Sequence, residues 1–334
     1  MRVAIVRYPK LELFGLYTDG QNRLKNLAET AEIYGSSDER ELAEQLKGFD
    51  IVITEPMMPT FGRTFFDFNN DVKLVFVHGR GYDNVDIEAA SEKGVIVARV
   101  PGWCENEAVA EHALSLIMEG AKKLWKARGW VSEGKWAEVG ESGGYFFSPS
   151  LREMSIGIIG YGYIGSRLAK ILKQGFGTKV LVYDPYVPSS KIEEEGNIPF
   201  EDLKELLGQS DAISIHAELT KETYHMIGRK EIEAMKDGAI IVNTARGAII
   251  DTEALIEGLS IGKISFAGLD VVEGEPLEGD HPLLKFPNVL ITPHVAYATN
   301  EAIKCMDHST VDAIVSFMNG KPVWETVELK KRRR

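Results

Sequence analysis

The sequence predicts an α/β fold built on parallel sheets, and three observations carry that prediction. Short apolar segments alternate with amphipathic ones along the chain, the pattern of strand–helix–strand units. In the second half the strand segments are continuous apolar runs, as expected of strands covered on both faces. At 334 residues the chain is too long for one ordinary core, which implies two or three domains.

In the first half the strand candidates are Val3–Val6, Ile51–Thr54, Leu74–His78 and Val95–Val100. Amphipathic segments lie between them at Arg40–Leu46 and Ile87–Lys93, and Gly94 stops the second. One long helix is expected over Asn106–Lys126, where Val109, Leu114, Leu116, Ile117 and Leu124 are interleaved with Glu111, Glu119 and Lys122. Gly129–Phe147 has little periodicity and is expected to wrap a surface. From Met154 the strand candidates are Ile156–Ile159, Val180–Tyr183, Ala212–His216, Ala239–Thr244, Phe266–Val271 and Val289–Thr292. Helices are expected over Ile164–Gln174, Glu201–Leu207, Lys230–Met235 and Thr252–Leu259. A last one spans Asn300–Met318, ending near Gly320 and Pro322.

Composition narrows the function. Lys and Arg number 38 against 50 Asp and Glu, a net charge of 38 − 50 = −12, which repels phosphate backbones and disfavours nucleic-acid binding. No uncharged apolar run approaches the roughly 20 residues a membrane span needs, and the N-terminus lacks the pattern of a signal peptide. The basic run Lys330, Lys331, Arg332, Arg333 and Arg334 is expected to be a frayed, solvated end. Cys104 and Cys305 do not make a disulfide framework, and no metal-ligand spacing is present. The protein is expected to be soluble, cytoplasmic and metal-free.

The most informative stretch is Gly157–Gly165. Gly160, Gly162 and Gly165 form G-x-G-x-x-G directly after an apolar strand and directly before a helix. Glycines there permit a tight turn and close approach of backbone to pyrophosphate, with the helix N-terminus facing the phosphates. The next strand ends at Asp184, 24 positions after Gly160, where an acid accepts hydrogen bonds from ribose hydroxyls. A carboxylate there repels a 2′-phosphate, and Pro185 follows rather than Arg, so NAD is favoured over NADP. The alternative, a packing turn beside a surface acid, takes the smaller share.

Three further strand ends carry reactive groups. Arg246 follows the strand ending at Thr244 and suits bidentate capture of a carboxylate, although a surface ion pair is an equal reading from position alone. His294 follows another, at the carboxyl edge where ligands bind open α/β sheets. Glu273 and Glu275 follow a third; a carboxylate beside His294 would stabilise imidazolium and make it a competent proton donor. The remaining histidines, His112 among them, need no function.

These motifs resemble the D-isomer-specific 2-hydroxyacid dehydrogenase family over nearly the whole chain. The resemblance runs through His78–Asp86, Val100–Gly102, Ala108–His112, Gly157–Gly165, Asn243–Gly247, Gly268–Pro276 and Thr292–Ala296. It implies two Rossmann-like domains with parallel sheets: an NAD-binding domain at 102–296 inserted into a discontinuous substrate domain at 1–101 and 297–334, with the active site in the cleft between them. Arg246 would bind the substrate carboxylate and polarise the C2 carbonyl, and His294 would be the acid/base. Glu275, just before Pro276, would tune it. The backbone amides of Arg80 and Gly81 would hold the carboxylate, and Trp103 would shape the pocket around the substrate's C3 substituent. Asp270 would accept a hydrogen bond from the nicotinamide carboxamide, while Tyr163 and Ile164 would face the pyrophosphate. His216, Ala217, Thr223, Thr244, Ala245 and Ala296 would also bind the cofactor, as would Arg246 and His294.

The chain departs from the family's pattern in places. Arg80 stands where a small apolar residue is more usual, so a second cation could reach the substrate. Glu218 replaces a usual proline. Ile53–Pro56 lacks the Arg-Ser pattern of phosphoglycerate dehydrogenases, which favours lactate-, glycerate- or glyoxylate-like acids over phosphorylated ones. The implied activity is reversible NAD-dependent reduction of 2-keto acids to D-2-hydroxy acids by a homodimer built around Asn106–Lys126. The alternative is an NAD(H)-sensing, partner-binding protein of the corepressor kind on the same scaffold.

Overall fold

The computed structural model of the protein describes residues 1–7, 18–142, 144 and 146–327; the basic run Lys330–Arg334 lies outside them. The chain divides into two units, Met1–Glu105 with Ala298–Arg334, and Asn106–Tyr297.

The first unit holds five parallel strands: β1 (Arg2–Arg7), β2 (Glu29–Tyr34), β3 (Ile51–Thr54), β4 (Leu74–Val77) and β5 (Ile96–Arg99). They lie in the order β2-β1-β3-β4-β5. The helices between them are α1 (Thr18–Lys25), α2 (Glu39–Gln45), α3 (Arg63–Phe68) and α4 (Ile87–Glu92); α12 (Asn300–Met318) adds the returning chain. Aspartates start two of them: Asp38 accepts from the amides of Arg40 and Glu41, and Asp86 from that of Ala89. β3 and β4 are buried at every position. Phe61, Phe65 and Phe66 pack edge-to-face beside them at centroid distances of 4.8 and 5.1 Å. Each of these fully buried rings stabilises the unit by roughly 2–3 kcal/mol.

The second unit holds β6 (Ser155–Ile159), β7 (Lys179–Tyr183), β8 (Ile198–Phe200), β9 (Ala212–Ile215), β10 (Ala239–Asn243), β11 (Ile264–Leu269) and β12 (Val289–Ile291). The order is β12-β11-β10-β9-β6-β7-β8, again parallel throughout. Its helices are α5 (Asn106–Ala121), α6 (Leu124–Ser132), α7 (Tyr163–Ile171), α8 (Ser189–Glu194), α9 (Leu203–Gln209), α10 (Arg229–Ala234) and α11 (Thr252–Ser260). Alternate strand residues feed two cores. Ile158, Val182 and Val242 pack with Ala113 and Leu116 of α5 and Leu168 of α7. Ile213, Ile241 and Leu269 pack with Leu206 of α9, Ile232 of α10 and Leu255 of α11. Burial on both faces is why these strands are apolar without alternation.

Two expectations are corrected. The helix expected over Asn106–Lys126 is two helices. Lys123 sits in the left-handed region (φ 52°) and turns the chain, so α5 ends at Ala121 and α6 begins at Leu124. The apolar spacing runs through this break, so periodicity could not reveal it. The two cysteines, which gave no framework in the sequence, are bonded to each other, with Cα atoms 5.3 Å apart across 201 residues. The return of the chain as α12 into the first unit brings Cys305 beside the 3₁₀ turn Gly102–Cys104.

His78, at the end of β4, is 1% exposed, and its Nδ1 lies 2.7 Å from Thr310 Oγ1. Burial, reinforced by the Arg7 charge, pushes it down to about 4. It is therefore neutral at pH 7, and its 3.5 Å approach to Asp307 is not an ion pair. Between pH 6.5 and about 4 the unfolded chain binds this proton and the folded one does not, so stability falls as pH falls. The expected loss is roughly 3 kcal/mol across that window. Urea unfolding as a function of pH should show it, and the H78Q variant should lose that part of the dependence.

Candidate active site

In the second unit's sheet the connections reverse direction between β6 and β9, the place where open parallel sheets bind ligands beyond their carboxyl ends. The glycine turn and His216 flank it. Gly160 has φ +91°, and a Cβ there would sit 2.7 Å from Ala217 N and from the His216 carbonyl carbon. At Gly165 a Cβ would meet the Gly160 carbonyl oxygen at 2.0 Å. Both positions exclude any side chain. Gly162, the N-cap of α7, differs: its backbone is extended (φ −81°), and a Cβ would meet nothing within 4 Å. The space above it is open, and no side chain caps the helix amides that begin at Tyr163 and Ile164. Tyr161 anchors the turn from below, its buried hydroxyl donating to Glu195 (2.6 Å) and accepting from Asn197 (2.6 Å).

Asp184 follows β7. Its Oδ2 accepts from Tyr161 N (2.7 Å), and its Oδ1 from Tyr186 N (2.8 Å) and Val187 N (3.2 Å). A carboxylate has about four acceptor positions, so one remains on Oδ2 for a hydroxyl. His216 lies 2.8 Å through Nε2 from Ser214 Oγ, and burial pushes it down to about 3, leaving a neutral ring. Its Nδ1 and the Thr244 hydroxyl are buried polar atoms with no hydrogen-bond partner. Open space at a helix start, a residual acceptor and two orphaned polar groups fit a dinucleotide laid across these strand ends. The Thr223 hydroxyl donates to Glu218 O (2.6 Å) and accepts from Thr220 N (2.8 Å), closing a turn. We expect G162A to fold with unchanged thermal stability yet bind NADH at least about tenfold more weakly, since its methyl occupies only the space a pyrophosphate needs. Differential scanning fluorimetry and NADH fluorescence titration separate the two effects.

Arg246, His294 and their partners come from the ends of the adjacent strands β10, β11 and β12. Asp270 N donates to Asn243 O (2.9 Å) and Thr292 N to Leu269 O (2.9 Å), which ties the three ends together. Asn243, fully buried, shapes the arginine turn by donating to Arg246 O (2.8 Å) and accepting from Ala245 N (3.0 Å). Arg246 is half-buried, and its Nη1 donates to Ala245 O (2.7 Å).

His294 occupies the left-handed region (φ 55°), a costly conformation for a non-glycine residue that persists only when its surroundings enforce it. Asp270, 2% exposed, does so: its carboxylate accepts from Thr292 Oγ1 (2.5 Å), Val295 N (2.9 Å) and Ala296 N (2.9 Å), and its carbonyl from His294 N (2.9 Å). These bonds leave the Asp270 carboxylate about one further acceptor position. His294 Nδ1 meets Glu275 Oε2 at 2.8 Å, with both side chains about 15% exposed (16% and 14%). Glu275 is itself oriented by Val272 N, which donates to Oε1 (2.8 Å). Glu273 turns elsewhere, to His225 Nε2 (2.8 Å) and Thr252 (3.3 Å).

Two participants lie in blocks that carry the resemblance, but their contact carried no sequence signal. The Thr292 hydroxyl links Asp270 to His112, whose Nε2 lies 3.0 Å from it. A hydroxyl and a helix-face imidazole 180 positions apart have no spacing signature. In the first unit, Arg80 and Gly81 follow β4. The Arg80 guanidinium donates to Glu325 (2.9 Å) and Val100 O (3.0 Å), and Arg99 holds the Arg80 carbonyl (2.9 Å). Trp103 is 54% exposed.

Comparison with known proteins gives this geometry its context. Residues 114–296, more than half of the chain, match the model of the D-isomer specific 2-hydroxyacid dehydrogenase NAD binding domain. A glyoxylate reductase of Thermococcus litoralis is 41% identical over 252 residues, covering 75% of each chain. A hydroxypyruvate reductase of Blautia hydrogenotrophica is 38% identical over 291 residues, covering 86% of this chain and 88% of that one. The structure of D-lactate dehydrogenase from Aquifex aeolicus complexed with NAD and lactic acid superposes with a TM-score of 0.82 at 30% identity, over 95% of this chain and 96% of that one. The protein therefore belongs to the D-isomer specific 2-hydroxyacid dehydrogenase family and is an NAD-dependent oxidoreductase of 2-hydroxy acids.

Proposed function

We propose that the protein reduces small, unphosphorylated 2-keto acids to D-2-hydroxy acids and catalyses the reverse oxidation, with Arg246, His294 and Glu275 as its catalytic residues. The observation that carries this reading is the 2.8 Å contact between His294 Nδ1 and Glu275 Oε2. Nδ1 is held by the carboxylate, and the proton exchanged with substrate is assigned to Nε2. Glu275 holds the ring in place, and in the reduction His294 gives a proton to the carbonyl oxygen as C2 becomes tetrahedral. In oxidation the neutral ring takes it back. Arg246 binds the substrate carboxylate through paired N–H groups and draws electron density from the adjacent carbonyl. The nicotinamide dinucleotide, when bound, supplies or accepts the hydride at C2. Gly160, Gly162, Gly165, Asp184 and His216 hold its adenosine and pyrophosphate side, and Thr244, Asp270 and Ala296 its nicotinamide side. Arg80 and Gly81 contribute backbone amides to the carboxylate, and Trp103 limits the C3 substituent.

The names of the relatives, glyoxylate and hydroxypyruvate reductases, support small acids as substrates. Steady-state NADH oxidation with glyoxylate, hydroxypyruvate, pyruvate and bulkier 2-keto acids tests the reading, and absence of oxidation with every acid would sink it.

The working form is a homodimer. Leu124 and Val131 on α6, then Trp136, Val139 and Phe147, are 48–83% exposed, a stretch of apolar surface that a second copy would cover. Sedimentation velocity at micromolar concentration should give about twice the 37.1 kDa chain mass; a monomer there contradicts the assignment.

A further inference from the structure

The bond between Cys104 and Cys305 has no part in the chemistry above. Its place in the chain is informative. Cys104 lies one residue before the first unit ends at Glu105, and Cys305 lies on the second turn of α12, after the chain has re-entered that unit at Ala298. Every residue of the second unit therefore lies between the two sulfurs, and the bond joins the segment that leaves the first unit to the segment that returns. It also closes the 3₁₀ turn Gly102–Cys104, which carries Trp103.

The two sulfurs are not equivalent. Cys104 is 6% exposed, whereas Cys305 is half-buried on the helix surface, so an incoming thiolate meets Cys305 first. Ser309, one turn further along α12, has its Oγ 3.4 Å from Cys104 Sγ and 4.0 Å from Cys305 Sγ. A disulfide sulfur carries no proton, so the hydroxyl is the donor, and it stands nearer to the sulfur that departs as thiolate. A hydrogen bond to a leaving thiolate speeds exchange.

We propose that Cys104–Cys305 is a redox-governed clasp on the Trp103 turn, opened by external dithiols with the help of Ser309, and that its state tunes substrate affinity. The opening is thiol–disulfide exchange. A thiolate of the dithiol attacks Cys305 Sγ, the Cys104–Cys305 bond breaks, and Cys104 leaves as a thiolate that takes up a proton. The second thiol of the reductant then attacks its own sulfur in the mixed disulfide and releases Cys305. Two electrons and two protons pass to the protein, and the dithiol becomes a cyclic disulfide. A low-molecular-weight disulfide such as oxidised glutathione reverses the change.

The effect on substrate rests on the proposed placement of Trp103. The groups that fit the dinucleotide all lie in the second unit, while the clasp lies in the first, so opening it should act on the keto acid alone. The test compares the full-length protein after treatment with oxidised glutathione and after dithiothreitol. Thiols are counted by Ellman's reagent, amide exchange is followed by mass spectrometry, NADH Kd by fluorescence, and KM with glyoxylate. The expected result is no reactive thiol before reduction and two after it, with faster exchange in 99–106 and 300–309. KM should rise roughly five- to tenfold on reduction, at the lower end of coupling between sites, with NADH Kd unchanged. S309A should keep the oxidised KM but open roughly fivefold more slowly in dithiothreitol. Two reactive thiols persisting under oxidised glutathione, or opening without change in exchange, overturns the clasp. An unchanged KM with altered exchange overturns its effect on substrate. If no keto acid is turned over in either state, the functional reading fails, and the thiol and exchange measurements still decide the clasp.

Discussion

H294Q should lower kcat for 2-keto acid reduction by at least about 10³-fold while leaving the NADH Kd within about twofold of wild type. Glutamine has no ring nitrogen that can deliver a proton, so the acid is removed rather than weakened. The dinucleotide cradle at Gly160, Gly162 and Asp184 is built around β6 and β7, on other strands of the same sheet. Single-turnover kinetics together with NADH titration separate the two quantities; joint loss of both would assign His294 a structural role. A second variant guards against backbone effects. Because His294 has φ 55°, H294N, with a side chain more at ease in the left-handed region, should be at least as stable as H294Q and equally inactive.

G247A should be the most damaging single-methyl change in the site. A Cβ at Gly247 would lie 1.9 Å from the Val272 carbonyl carbon, 2.1 Å from its oxygen and 2.3 Å from Glu273 N. These are backbone atoms of the segment that leads to Glu275, so no rotamer change relieves the overlap. Either the Arg246 turn or the Glu273–Glu275 turn must move, and a shift of about 1 Å at such a site costs on the order of 10²-fold in kcat/KM. The accompanying loss of stability should be about 3 kcal/mol or more, the upper range for overpacking. Thermal unfolding and NADH oxidation measure both, and near-normal values of both would show that this approach is not required.

Much of this was legible in the sequence, for reasons that differ from element to element. β3 matches Ile51–Thr54 and α12 matches Asn300–Met318 to the residue, because a strand buried throughout is a bare apolar run and a long amphipathic helix shows its period. β2 went unnoticed: Glu29–Tyr34 is a polar edge strand that, among the described residues, pairs only with β1. β8 is three residues long and contains Pro199, which its edge position tolerates. At the site, His294 and Arg246 stood out because each follows an apolar strand. Spacing alone left Glu273 and Glu275 equivalent, since two acids in one turn differ only in where the backbone aims them. The hydroxyl bridge from His112 through Thr292 to Asp270 and the Cys104–Cys305 bond depend on residues 180 and 201 positions apart. No local pattern encodes either.

The discontinuity of the first unit also fixes an order of events during synthesis. The second unit is one continuous stretch, Asn106–Tyr297, with its own sheet and its own cores on both faces, and it is complete before any residue of α12 has been made. At about 5–20 residues per second, the 201 residues between the cysteines put roughly 10–40 s between the emergence of Cys104 and that of its partner. Over that interval the inserted unit can fold while its host waits, with Cys104 still a thiol.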